Sequence, residues 1–526
     1  MKVELTSSNF IKQITMYGFF AEQIPDCFSS QSFAADINEL NELIKGKAPP
    51  KGLKSTNPMT LSTYKSDLSR RVLSVPNPEA FLYLVSLMAD NWNQLLEFSK
   101  SENSLSPITY ISSYDDTEIE CLNSENLREH FREKSDYIEG IKNCIRVALG
   151  YKYCLKVDIS NCYNSIYTHS IAWAICGKAE AKKYHVKEEP KTLKPIYELA
   201  DKLDKRTRAL KNNETNGIVV GPFTSRIFSE IILARIDKNL YQKGFCFRRY
   251  VDDYKFYFRT EAQAQESLSV IEKVLNEYNL NLNTAKTEIT KFPFEVISQM
   301  QNTYETAFEK DGVFGILNAA SILHQSGEKG AYKYALKLLR GKDIPVKDFD
   351  LILPLLVNIM LVDPKYGKYV VQYLKRNIKQ IDKEKVYTII NSELKTSLEN
   401  ELQQEALLFM YFIKELKLEI QGSNLLNALK SKNDFVVLIA LDIWKHRNKT
   451  VKRTASVARV INSEIENLFY ELSGEKYTGE HWMLLYEAEM HSLCPMKEYE
   501  YPEKSVFFQK MKEKSITFYN SVRFGK

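Results

Sequence analysis

Three carboxylates have the type and setting to do chemistry. Asp158 ends the short β-rich run YCLKVDI, and Asp252 and Asp253 stand side by side in FCFRRYVDDYKFYF. Brought together, such acids meet the needs of a two-metal phosphoryl-transfer site, which takes hard oxygen ligands for Mg²⁺ or Mn²⁺ and leaves open positions for substrate phosphates. One ion would activate an attacking hydroxyl while the other neutralises a pyrophosphate leaving group. A lone Y-x-D-D is also an ordinary surface turn, so the acids count only if neighbouring elements place them.

The surrounding pattern supplies those elements. YCLKVDI reads as a strand, IFSEIILARIDKNL has a helical period, and FCFRRYV and YKFYF are strand-like runs flanking the acid pair. A helix then follows over Glu261 to Tyr278, and TEITKF closes the series as a strand. The order β-α-β-β-α-β predicts a ferredoxin-like sheet with helices on one face. In that sheet the first strand lies beside the hairpin, and Asp158 meets Asp252 and Asp253. Upstream, YKSDLSRRVLSVPNPEAFLYLVSLMADNW reads as a basic strand or turn, a Pro-x-Pro stop, and an apolar helix capped by Asn77. Beyond about residue 300 amphipathic helices succeed one another, as in LILPLLVNIMLVD and EALLFMYFIKEL. Their spacing suggests stacked HEAT-like hairpins at about 40 residues per pair, although no clean repeat is visible.

Composition sets the bounds. At 526 residues, 44% hydrophobic and 26% charged, the chain is neither disordered nor fibrous. By length it divides into about two to four domains. The expected division is an N-terminal extension over 1–60, which includes the loop KGKAPPKGLKSTNP, an α+β unit over 61–300, and a helical unit over 301–526. A net charge of +5 neither demands nor excludes a nucleic-acid partner. The eight cysteines include no C-x-x-C pair, which argues against zinc and leaves a reducing cytoplasm as the default. MKVELTSSNF lacks the look of a secretion signal, and the apolar stretch Leu351 to Val362 is too short to span a bilayer and contains Pro354. A soluble cytoplasmic protein with no membrane partner is therefore expected.

Set in order along the chain, the blocks resemble the motifs of reverse transcriptases. LKVDISNCYNSIY resembles motif A, NGIVVGPFTSRIFSEIIL motif B, RRYVDDYKFYF motif C and LNLNTAKTEI motif D. KFPF falls where the primer-grip motif E follows, and YKSDLSRRVLSVP resembles the fingers motifs. The resemblance implies a fingers and palm unit over 61–300. Asp158 and Asp252 would be the main metal ligands, with Asp253 adjoining and Ile159 at the same site. Tyr163 matches the ring that blocks a ribose 2′-OH, implying a preference for dNTPs. Arg71, with Arg70 and Lys65 nearby, matches the fingers cations that hold the triphosphate, and Lys286 the lysine that protonates leaving pyrophosphate.

Motif B departs from common reverse transcriptases, which carry Pro-Gln before the glycine where this chain has Val219-Val220-Gly221-Pro222. An apolar side chain there removes a hydrogen-bonding group that contacts nucleotide and template, while Gly221 keeps the turn. No recognisable thumb follows motif E. These features resemble the bacterial abortive-infection (Abi) and related defence-associated reverse transcriptases. That resemblance implies anti-phage defence and, in Abi members, untemplated DNA synthesis started from a protein hydroxyl, so that single-stranded DNA ends up attached to a tyrosine. Tyr17 and Tyr64 are candidates, because both precede the palm. Two alternatives stand beside this: a reverse transcriptase copying a partner noncoding RNA, and a non-catalytic nucleic-acid-binding scaffold. The helical unit is expected to hold product or to build a homo-oligomer. Its segment KHRNKTVKRTASVAR, rich in cations and free of acids, could track a nucleic-acid backbone.

Overall fold

The computed structural model describes residues 2–66, 69–112, 135–185, 195–295, 300–328, 330–339, 349–446 and 455–521. Among them eight strands form three sheets. Strand β1 (Lys2–Glu4) pairs with β4 (Tyr110–Ser112), and β2 (Met59–Ser66) forms an antiparallel hairpin with β3 (Ser69–Val75). The third sheet contains β5 (Tyr153–Asp158), β6 (Phe247–Tyr250), β7 (Asp253–Phe258) and β8 (Glu288–Lys291) in the order β6-β7-β5-β8, every pair antiparallel. Its first strand thus lies between its third and fourth, the arrangement expected from the β-α-β-β-α-β series.

Sequence chemistry explains the framing helices. Asn77 caps the helix Pro78–Asp90 by accepting a hydrogen bond from the Ala80 N–H, with Pro78 at the first helical position. Thr260 and Gln263 form a reciprocal capping box that starts the helix Glu261–Asn276. Between β5 and β6 the helix Phe223–Gln242 is buried on most of its circumference, and its buried positions include Glu230 and Asp237. Charges rarely enter a core without partners. Theirs define the functional region described below.

After β8 the described elements are all helical. Lys383–Glu399 packs on Gln403–Leu416, Gln403–Leu416 on Asp434–His446, and Gly422–Leu429 against both Lys383–Glu399 and Asp434–His446. Lys383–Glu399 therefore meets both its next and its next-but-one neighbour, and Gln403–Leu416 its next-but-one, which makes a layered all-α region. Most of the cationic segment Lys445–Arg459 lies outside the described residues; Lys445 itself donates to the backbone carbonyls of His491 and Ser492.

The segment 1–60, expected to be an extension, is built into the same hydrophobic core as the rest. Phe10 meets Trp92 at a ring separation of 4.5 Å, and Phe19 meets Phe81 at 5.0 Å. Residues near 520 return to this segment. Phe518 stacks on Phe19 at 5.4 Å, Phe28 pairs with Tyr519, and the Asn520 N–H donates to the Cys27 carbonyl. Each fully buried phenylalanine contributes about 1.5–3 kcal/mol relative to exposure, so this closure is strongly held. No helix among the described residues is long and apolar enough to cross a membrane.

Candidate active site

The three acids converge where the sheet meets its hairpin turn. In the β5–β7 register Asp158 lies opposite Asp253, and in β6–β7 Tyr250 pairs with Asp253, which leaves Val251 and Asp252 as the turn. Val251 adopts φ +57°, a conformation that a β-branched residue resists. Two hydrogen bonds hold it there: its N–H donates to Ser106 Oγ at 2.9 Å, and its carbonyl accepts from Arg249 Nη1 at 2.9 Å.

Arg249 in turn is fully buried within an ionic network. Its Nε and Nη2 donate to Asp237 and its Nη1 and Nη2 to Glu230, all within 3.0 Å, while the Tyr254 hydroxyl donates to Asp237 Oδ1 at 2.9 Å. Burial alone would lower the guanidinium pKa, but Asp237 and Glu230 outweigh it and raise it further. One cation thus satisfies two buried anions and fixes the turn that carries Asp252.

Asp158 is held differently. Asn283 donates its backbone N–H to the Asp158 carbonyl and its side-chain amide to Asp158 Oδ2, both at 2.8 Å, and Lys286 Nζ reaches Oδ1 at 3.0 Å. Burial would raise this carboxyl's pKa, yet the hydrogen bonds from Asn283 and Lys286 bring it below its usual value. The hairpin acids move the opposite way. Burial and the Asp158 charge raise Asp252, although its own backbone N–H, Lys286 and Arg71 act against the rise. Asp253 is pushed up to about 6 by burial and by the charges of Asp252 and Asp158.

This crowding of like charges bears on metal binding. Three carboxylates of which one is lifted to about 6 by burial and by the charges of the other two form a donor set that suits a hard divalent cation. The donor chemistry fits Mg²⁺ or Mn²⁺. Among the described residues, however, no group of three or more His, Cys, Asp or Glu is pre-shaped to hold a metal, and both oxygens of Asp158 are engaged by Asn283 and Lys286. Ile159 is 1% exposed and bridges to Leu282, so its aliphatic side chain cannot ligate and only its carbonyl could contribute.

The other expected residues divide. Tyr163, on the short helix Cys162–Ser165, is partly buried; burial raises its hydroxyl pKa first, and the Asp252 charge adds to the rise. Its carbonyl accepts from the Ile218 N–H at 3.0 Å, which ties motif A to the start of motif B. Gly221 has φ +133°, and an added Cβ would lie 3.2 Å from the Ser74 carbonyl, so glycine is needed for both conformation and space. The neighbouring Val220 carbonyl accepts from the Ser74 N–H at 2.7 Å, and Val219 is buried. Arg71 on β3 is exposed, and its charge is felt at Asp252. Lys65 on β2 is also exposed.

Arg70 does not join Arg71. Adjacent residues of a strand face opposite ways, and Arg70 instead forks onto Glu405, Nη1 to Oε1 at 2.9 Å and Nη2 to Oε2 at 2.6 Å. Lys286 rests on Asp158 in this structure. Tyr17 is partly buried against the core, and Lys365 lies 5.2 Å over the ring of the half-buried Tyr64. The sequence reading missed Arg249, Glu230, Asp237, Ser106 and Asn283. Two acids within the apolar run IFSEIILARID and an arginine inside a strand-like run were the available signal for the first three.

Residues 99–308 match the family model described as reverse transcriptase (RNA-dependent DNA polymerase). No curated protein matches the chain. Among solved structures, a C-terminally truncated apo telomerase from Candida tropicalis matches at 17% identity and TM-score 0.26, over 50% of this chain and 56% of its own. Apo telomerase from Candida tropicalis matches at 12% identity and TM-score 0.30, over 88% and 76%. Telomerase from Candida albicans in complex with a TWJ fragment of telomeric RNA matches at 12% identity and TM-score 0.26, over 85% and 68%. The chain thus spans little more than half of the truncated telomerase. With its acids gathered on β5 and the β6–β7 turn inside the matched segment, the chain carries a reverse-transcriptase domain, the domain of RNA-directed nucleotidyltransferases.

Proposed function

We propose that the protein is an anti-phage defence DNA polymerase of the abortive-infection type. It would add deoxynucleotides without a template to a strand begun on one of its own tyrosine hydroxyls. The observation that carries the catalytic part is the register placing Asp158 against Asp253, with Asp252 on the adjoining turn. In this reading Asp158, Asp252 and Asp253 hold Mg²⁺, or Mn²⁺ in its stead, which would neutralise the triphosphate and acidify the attacking hydroxyl. Arg71 faces the incoming triphosphate, Tyr163 excludes a ribose 2′-OH, and Lys286 carries the proton for the leaving pyrophosphate.

Support for untemplated synthesis comes from Val219 and Val220, which offer only backbone polar groups where a glutamine would read a template. The resemblance of GPFTSRIFSEIIL and RRYVDDY to abortive-infection enzymes supports the defence role and protein priming, with Tyr17 and Tyr64 as priming candidates. The same reading takes the layered helices as a HEAT-like region in place of a thumb, with homo-oligomers and a cytoplasmic setting.

The test incubates nuclease-treated protein with Mg²⁺ and each labelled dNTP, without template or primer, and resolves the product on a denaturing gel with and without protease. Label that runs with the protein, collapses after proteolysis and vanishes in Asp252→Ala is the expected outcome. Label that appears only when RNA is added back would replace this reading with a templated reverse transcriptase. No label under either condition would favour a non-catalytic nucleic-acid-binding scaffold.

A further inference from the structure

The β2–β3 hairpin bears Arg71, yet two strands alone are marginal in water, and an outer edge leaves backbone N–H groups in search of partners. Three consecutive residues at the start of the helix Gln403–Leu416 meet that need. Gln403 Oε1 accepts the Ser62 N–H at 2.7 Å, and Gln404 Oε1 accepts the Tyr64 N–H at 2.6 Å. Glu405 takes Arg70 in a two-pronged ion pair, and Arg70 reaches back to Ser62 Oγ at 2.9 Å. Ser62 and Tyr64 are two apart, so both N–H groups leave the same edge of β2. The opposite margin is pinned to motif B through Ser74 and Val220.

We infer that Glu405 is a positioning residue for nucleotide binding: through Arg70, it and its two glutamine neighbours hold the hairpin so that Arg71 stands ready for a triphosphate at the acids. This rests on the proposed polymerase function. The physical basis is preorganisation, because a cation already held in place loses less freedom when its anion arrives. Arg70 and Arg71 therefore share one strand with separate duties, the first bonding outward to the helical region and the second acting inward on Asp252.

The test measures binding of labelled dATP with Mg²⁺, dATP incorporation and the thermal midpoint in wild type, Glu405→Gln and the charge swap Arg70→Glu/Glu405→Arg. Expected for Glu405→Gln is dATP binding weakened about tenfold, with a matching rise in KM and kcat close to wild type. The charge swap should recover most of the affinity. Equal affinity in wild type and Glu405→Gln would overturn the inference. So would a joint fall of affinity, kcat and thermal midpoint that the swap does not repair, since Glu405 would then be structural only. Wild type that binds dATP but incorporates none overturns the proposed function, while the binding comparison still decides this inference. Wild type that binds no dATP overturns both.

Discussion

Two hairpins supply charges to the candidate active site, and they are secured in opposite ways. The β6–β7 turn, which carries the acids, is fixed from within by Arg249, Glu230, Asp237 and Tyr254, all buried and all close to it in sequence. The β2–β3 hairpin, which carries the cations, is fixed from outside by Gln403, Gln404 and Glu405, far along the chain and nearer the surface. The first set of contacts is a buried ionic network, the second a pair of backbone-to-side-chain hydrogen bonds and one partly exposed ion pair.

The largest effect should come from the buried side. Arg249→Ala leaves Glu230 and Asp237 without their cation and should cost about 3–5 kcal/mol in urea unfolding, with loss of dNTP incorporation, as expected when one partner leaves a buried ion pair. A cost near that of a surface substitution would erase the contrast. Gly221→Ala, against the β2–β3 hairpin, should cost about 1–3 kcal/mol, because it demands φ +133° of an alanine and crowds the Ser74 carbonyl. Glu405→Gln should lower unfolding free energy by only about 1 kcal/mol or less, since Arg70 retains 29% side-chain exposure and Glu405 11%. A penalty equal to that of Arg249→Ala would show both hairpins to be equally rigid.

The smallest effect is a pH dependence at a second link to the helical region. Glu22 is paired with Lys333 and Lys337 and accepts from the Tyr369 hydroxyl at 2.6 Å. Burial would raise its pKa, but those partners lower it to about 2 from 4.5. A depressed carboxyl contributes stability that is fully present above about 4.5 and is lost as pH falls toward 2. The advantage of wild type over Glu22→Gln in urea midpoint should therefore shrink between pH 5 and pH 2. An advantage that stays constant over that range would remove Glu22 from the account.

The parts of this design differ in how openly the sequence displays them. Alternating strand runs around Asp158 and around Asp252-Asp253 were enough to expect their meeting, since strand period and hairpin spacing are local properties. The cap at Asn77 was equally plain. Arg70 and Arg71 were read as one cationic pair, although strand alternation alone implies that neighbours face opposite ways. Glu405 was not legible as the partner of Arg70, because nothing local connects positions so far apart. The burial of Arg249 follows from charges on the preceding helix, which appear in the sequence only as acids out of place in an apolar run.

The meeting of Phe19, Phe28 and Phe33 with Phe518 and Tyr519 has a consequence for how the molecule is made. A ribosome delivers the early aromatic residues first and their partners only after about 490 further residues, roughly 25–100 s later at typical elongation rates. Until then those rings lack their final packing. Closure of this aromatic contact is therefore timed by the arrival of the segment around residue 518.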